Sequence, residues 1–171
     1  QLLDTGVLRR GINRVHWDLR EKASATPTLR TKPSEHSHVE LPDAGFRSSG
    51  EGSRVTPLAP PGSYTVALHA AGFELVQPLV LLKDPNSGGS ELEIQEQVTM
   101  VREIRESVDS VVALIDEIEW TRAQTQLVRE RNADHAAAEE IREAGGALEA
   151  ELIELEMRLF DVRLTGGTAR Q

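Results

Sequence analysis

Between residues 90 and 163 apolar side chains recur at spacings of three and four, and that periodicity limits what the chain can fold into more than any other feature. Ile94, Val98, Val101, Ile104, Val108, Val111, Ile115 and Ile118 fall on one stripe of a helix. After Trp120 the stripe fades, and Asn132-Ala133-Asp134 offers a break. Ile141, Leu148, Leu152, Leu155, Leu159 and Val162 then sit in heptad register, with Gly145 in the place of an apolar residue. The spacing therefore predicts helices over about 90–130 and 134–163. Two such stripes cannot remain bare in water, and folding back as a long antiparallel helical hairpin is the simplest way to bury both.

The first helix has an explicit start. Asp84 to Gly89 is a breaker, and Ser90 with Glu93 forms an S-x-x-E capping box, in which hydroxyl and carboxylate satisfy backbone N–H groups left open at a helix start. Gly88-Gly89 before a helix could hold an anion, but Glu91 and Glu93 would repel it, so these glycines read as hinge and cap. Gly145-Gly146 costs about 1 kcal/mol per residue against alanine, which predicts a weak or broken point in the second helix.

Upstream, the period changes from helix to strand. Val15, Trp17 and Leu19 alternate with polar neighbours, as in a half-buried strand. After Pro60-Pro61-Gly62, residues Tyr64, Val66 and Leu68 point one way and Thr65, Ala67 and His69 the other. Ala70-Ala71-Gly72 reads as a short hairpin connection, with Phe73 to Leu82 as the returning strand. Pro78 has no N–H for a ladder, so this strand is placed at an edge or given a bulge. Between these strands, residues 22–63 hold seven Ser, six Pro and four Gly, which predicts a long loop with little regular structure and a mobile middle. Three strands fall short of the roughly seven that a β-sandwich needs. The sandwich is therefore read as incomplete, its first strands lying before Gln1.

Charge excludes some partners. The chain carries −9 overall, about +1 over residues 1–89 and −11 over 90–163, where every basic residue is an arginine scattered among acids. Nothing there resembles a phosphate-binding stripe, so nucleic acid and anionic membrane surfaces are poor partners. No apolar run approaches the roughly 20 residues needed to span a bilayer. Cysteine is absent, which removes disulfides, thiolate metal ligands and thiol nucleophiles.

Candidate chemistry is sparse. Glu35-His36-Ser37-His38-Val39-Glu40 is the one cluster of metal-ligand types, and in an extended chain His36 and His38 share a face. No distant third ligand accompanies them, so they read as an exposed polar loop and no metal is assigned. Carboxylate pairs such as Asp116 with Glu119 and Glu139 with Glu140 read as solvated helix acids, without the divergent environments that acid–base catalysis needs. Neither a G-x-S-x-G elbow nor a Gly-rich phosphate loop is present. Trp17 and Trp120 read as packing residues rather than sugar-stacking platforms. No catalytic, cofactor or metal residue is assigned.

Several motifs, taken in order, carry a family resemblance. Gly11-Ile12-Asn13-Arg14-Val15-His16-Trp17-Asp18-Leu19-Arg20 resembles the G-x-N-x-x-x-W-D-L-R strand near the end of large bacterial proteins with sortilin-like β-propellers, often labelled glycosyl hydrolases of the neuraminidase-repeat type. Pro60 to Val66 is similar to their P-P-G-T-Y-T-V strand, with Ser63 where Thr is usual. Gln77-Pro78-Leu79 followed by Lys83-Asp84-Pro85-Asn86 resembles their Q-P-L-x-V-x-x-D-P-N stretch. The likeness covers residues 6–125, and more loosely continues to Gly167.

That resemblance implies an immunoglobulin-like sandwich, akin to the repeat of the flagellar hook-capping protein, followed by a helical hairpin. It also implies an upstream propeller, a chain cut at both ends (at Gln1 and after Leu164-Thr165-Gly166-Gly167), and an exported or cell-envelope location for the parent protein. The hydrolase label carries over no catalytic residue, since such a site would belong to the propeller.

The resulting expectation is an α+β chain. Residues 1–84 would form a partial immunoglobulin-like antiparallel β-sandwich carrying the 22–63 insert, residues 85–165 a long antiparallel α-helical hairpin, and 166–171 a tail. Its expected role is a non-catalytic accessory or assembly region of a larger exported β-propeller protein. Its partners would be the upstream propeller or another protein, with self-association through the helices as a further option and no cofactor. The alternatives are a carbohydrate-binding accessory module, and a metal-dependent hydrolase using His36 and His38.

Overall fold

The computed structural model describes residues 10–33, 36, 38–49, 54–159 and 161. It is an α+β chain of four strands and two helices: β1 (Thr28–Leu29), β2 (Arg47–Ser48), β3 (Gly62–Ala70), β4 (Phe73–Leu81), α1 (Glu91–Arg131) and α2 (Ala138–Met157). No helix among the described residues is long and apolar enough to cross a membrane. By its internal contacts the chain divides into two compact units, one of residues 1–24 and 55–106 and the other of 25–54 and 107–171. Helix α1 contributes to both.

In the first unit β3 and β4 form an antiparallel hairpin with one-to-one register, from Gly62 opposite Leu81 to Ala70 opposite Phe73. Ala71 (φ 50°) and Gly72 (φ 81°) make a two-residue turn with both residues left-handed, the geometry whose twist matches paired strands. Such a turn is closed by a hydrogen-bonded pair, here Ala70 and Phe73, and bonded and non-bonded pairs alternate from there. Thr65 opposite Pro78 is then a non-bonded pair. The missing N–H of Pro78 therefore falls on the outer edge of β4, which explains how proline sits in a regular strand without a bulge.

Tyr64, Val66 and Leu68 share a face with Phe73, Leu75 and Leu79, and much of that face is open: Leu68 is 52%, Phe73 73% and Leu75 63% exposed. Only its Tyr64 end is covered by an aromatic neighbour, with the Trp17 ring edge-on at 5.8 Å and the Tyr64 hydroxyl donating to Pro60 O at 2.5 Å.

The alternation around Val15, Trp17 and Leu19 does not produce a strand there. Residues 12–18 belong to no strand, with Ile12 and Val15 exposed. Pairing begins where that segment was expected to end: Ala59 N–H donates to Leu19 O, Arg20 bridges Leu58, and Glu21 N–H donates to Pro57 O. Leu19 takes a left-handed φ of 62°, which interrupts the pleat before any ladder forms.

Helix α1 begins as its capping box requires. Ser90 N–H donates to Glu93 Oε2 at 2.7 Å, and Glu93 N–H donates to Ser90 Oγ at 3.2 Å. The bonds from Ser90 hold the Glu93 carboxyl below its usual pKa. Lower in the same unit, Arg102 Nε donates to both oxygens of Glu21 at 3.1 Å, which lowers the Glu21 pKa.

In the second unit, the Pro/Ser/Gly-rich insert carries little regular structure, as its composition suggested, but contributes two short strands. β1 pairs with β2, and Leu29, Thr31, Pro33 and Arg47 are buried. Val112, Ile115 and Ile118 supply the apolar core of α1 here. The heptad seam of α2 does not bury as expected: Leu148, Leu155 and Leu159 are 43%, 47% and 37% exposed. The residues that meet α1 include those directly after the seam, Glu149 and Glu156, a rotation of about 100° per residue. Paired positions descend along α2 as they ascend along α1, from Arg122 with Glu156 to Arg129 with Glu149.

Helix α2 runs unbroken through Gly145-Gly146, starting at Ala138 rather than near 134. A Cβ on Gly145 would lie 2.7 Å from Arg129 Cδ, whereas one on Gly146 would meet nothing within 4 Å. Gly145 thus admits the Arg129 stem, and Gly146 serves no packing purpose. Gly146→Ala is expected to stabilise by about 1 kcal/mol, raising the thermal midpoint by about 2–4 °C. Gly145→Ala should gain less, because Arg129 has to move. Circular-dichroism melts of both variants check this.

Candidate functional site

The most unusual chemistry in the chain is a sealed cluster of charge in the second unit. Glu119, Glu156, Arg122 and Arg47 are 0%, 0%, 1% and 3% exposed. Full burial of four ionisable residues is costly unless each is paired and hydrogen-bonded. Glu119 and Arg122 stand three apart on α1 and so share a face, Glu156 comes from α2, and Arg47 comes from β2.

Glu119 is the hub. Its Oε2 accepts the backbone N–H of Arg30 and, at 2.7 Å, that of Thr31. Its Oε1 accepts the Thr31 hydroxyl at 2.7 Å and Arg122 Nη1 at 2.8 Å. The same Nη1 donates to Glu156 Oε2 at 2.7 Å, so one nitrogen bridges two carboxylates. Arg47 donates Nε to Thr31 O at 2.8 Å. Glu156 Oε1 is buried with no hydrogen-bond partner among the described residues.

These surroundings act on Glu156. Burial first, then the neighbouring Glu119 charge, push the Glu156 pKa up to about 7, against the opposing pull of Arg122. Burial likewise lowers the Arg47 pKa. A raised carboxyl beside a second carboxylate is a combination that acid–base catalysts use, but both acids here are closed off from solvent. What the arrangement does is hold elements together.

Two more α1 acids extend that function. Asp109 Oδ1 accepts Ala25 N–H at 2.6 Å, and Asp116 Oδ1 accepts Thr28 N–H at 2.6 Å. Asp109, Asp116 and Glu119 recur at spacings of seven and three, one helical face, and together bind the main chain of residues 25–31. Asp116 and Glu119 are therefore not the solvated acids that the sequence suggested, whereas Glu139 and Glu140 are exposed, with Glu139 bonded to Arg142. The available signal was the helical spacing of those acids opposite a segment rich in Thr and Pro.

The rings of His36 and His38 lie edge-to-face at 5.8 Å, and no group of three or more His, Cys, Asp or Glu able to hold a metal occurs among the described residues. Glu35 and Ser37 lie outside the described residues, as do Val162 and Leu164 to Gly167. Trp120 is 55% exposed, but the Arg30 guanidinium covers one ring face at 5.3 Å. Trp17 donates Nε1–H to Arg20 O at 3.0 Å. A cavity of about 500 Å³ between the end of α1 and the start of α2 is lined by Gln126, Arg129, Glu130, Glu139, Arg142 and Glu149, with both arginines already ion-paired.

Compared with known proteins, the chain matches no family model, no curated protein and no solved structure.

Proposed function

We propose that this chain is a non-catalytic assembly region whose β3–β4 hairpin is a docking surface for other polypeptide. The observation that carries this reading is the open apolar face of the hairpin, with Leu68, Phe73 and Leu75 each more than half exposed. Two strands alone are marginal in water, and three or more with a covered face are needed for independent stability. A contiguous apolar patch on a folded protein marks a site of contact. In this reading the hairpin is part of an immunoglobulin-like sandwich completed by strands from elsewhere, and α1 with α2 forms the long antiparallel helical hairpin that follows it. The motif resemblance to bacterial sortilin-like propeller proteins supports an exported parent protein, with the propeller as the natural partner.

The charge cluster supports a structural role because it is shut off from any substrate. Trp120 already stacks one ring face against Arg30, and a hydrolase at His36 and His38 would require a third ligand.

The test is an apolar fluorescent dye. The chain should bind it, and Leu68→Ser/Leu75→Ser should cut the signal several-fold while leaving far-UV circular dichroism unchanged. Dye binding that is absent, or undiminished in the variant, would sink the reading.

A further inference from the structure

The two outer edges of the hairpin are not equivalent. The alternation of bonded pairs leaves Ser63, Thr65, Ala67 and His69 with backbone groups facing outward on β3, and Glu74, Val76, Pro78 and Val80 on β4. Folded proteins protect edge strands with charge, proline or a bulge. β4 has both a charge and a proline on its edge, whereas β3 (GSYTVALHA) has no Asp, Glu, Lys, Arg or proline and no bulge. Among the described residues no strand other than β4 pairs with β3.

We propose that the outer edge of β3 pairs, antiparallel and across a two-fold axis at Val66, with β3 of a second copy of this chain. This rests on reading the hairpin as a docking surface and names the occupant of its β3 edge. The geometry is self-complementary, because the outward-facing positions are symmetric about Val66. Ser63 falls opposite His69 of the second copy and Thr65 opposite Ala67, each pair exchanging two hydrogen bonds. On the open face Val66 meets Val66, and Tyr64 meets Leu68.

Charge agrees with this choice. The chain carries −9, so two copies repel in general, yet β3 brings no acid to the seam and places each His69 against a serine. The same operation on β4 loses the bonds that Pro78 cannot donate. The product is a closed two-fold pair with a continuous four-stranded sheet, β4-β3-β3-β4.

Light scattering during size-exclusion chromatography tests it. The full chain should run at twice its 18.8 kDa and dissociate on dilution. Val66→Lys, which sets two ammonium groups face to face on the axis, should be monomeric, and Val76→Lys on the other strand should remain dimeric. Hydrogen exchange on the unaltered chain is the second readout: the Thr65 and Ala67 amides should be protected and lose that protection on dilution, while those of Val76 and Val80 exchange fast throughout. A monomeric unaltered chain, a dimeric Val66→Lys, a monomeric Val76→Lys, or Thr65 and Ala67 amides that exchange as fast as Val76 would each overturn the pairing. A monomer that still binds the dye refutes the second copy alone. One that does not bind it refutes the docking surface as well.

Discussion

Replacing Arg122 by leucine is expected to cost about 3–5 kcal/mol, because one nitrogen then ceases to hold two buried carboxylates. The two acids fare differently. Glu119 keeps three donors, the Arg30 and Thr31 amides and the Thr31 hydroxyl. Glu156 loses its hydrogen bond to the Arg122 guanidinium, its one oppositely charged partner in the cluster's hydrogen bonds, at a position with no exposure. The double variant Arg122→Leu/Glu156→Leu should therefore recover much of the loss, since removing both partners of a buried pair is far milder than removing one. Urea denaturation followed by circular dichroism measures both. A single-variant loss below about 1 kcal/mol, or a double variant no better than the single, would contradict this account of the cluster.

The second large effect is a dependence on pH, and its sign follows from Glu156. Its carboxyl is raised from 4.5 to about 7 in the folded chain, so the folded state binds a proton that the unfolded state has already released between those values. The contribution of Glu156 is fully present below about pH 4.5 and is lost as pH rises through about 7, to the extent of about 3 kcal/mol. Glu21 and Glu93 act in the opposite direction. Their lowered values give stability that is present above the unfolded carboxyl value and lost in acid. The chain should thus be most stable in mildly acidic solution. Glu156→Gln, which keeps an acceptor for Arg122 without the charge, should flatten the descending limb and exceed the parent chain at pH 8. Melting curves from pH 5 to 9 decide it, and parallel slopes for the two proteins would count against the assignment.

Much of the local structure was legible because it depends on short-range chemistry. The capping box at Ser90 and Glu93, the turn at Ala71-Gly72 and the break after Arg131 each lie within a few residues of their cause. The β3–β4 alternation was readable for the same reason, since each strand has its partner next in sequence. Legibility failed where the partner is distant. Val15, Trp17 and Leu19 alternate like a strand, but a strand exists only when another edge comes beside it, and Leu19 turns the chain first. The heptad of α2 misled because periodicity records which residues are apolar, not which face the neighbouring helix takes. Here carboxylate–arginine pairs occupy that face and leave Leu148 and Leu155 half exposed.

The charge cluster was hidden for a related reason. Composition made 90–163 an acidic, solvated stretch, and only the spacing of Glu119 from Asp109 and Asp116 distinguishes it from Glu117. Its burial depends on residues 30, 31 and 47, about 70 to 90 positions upstream, in a segment that reads as loop by its serines and prolines.

The way residues 25–31 are fastened has an evolutionary consequence. Asp109, Asp116 and Glu119 grip amide hydrogens, which every amino acid but proline supplies, so this fastening specifies almost nothing about the side chains it secures. Relatives could rewrite most of that ribbon and keep its path, provided no proline entered at 25, 28, 30 or 31 and the three acids kept their places. Kinship would then persist in the spacing of a few acids on a helix, long after the ribbon's own letters had ceased to resemble one another.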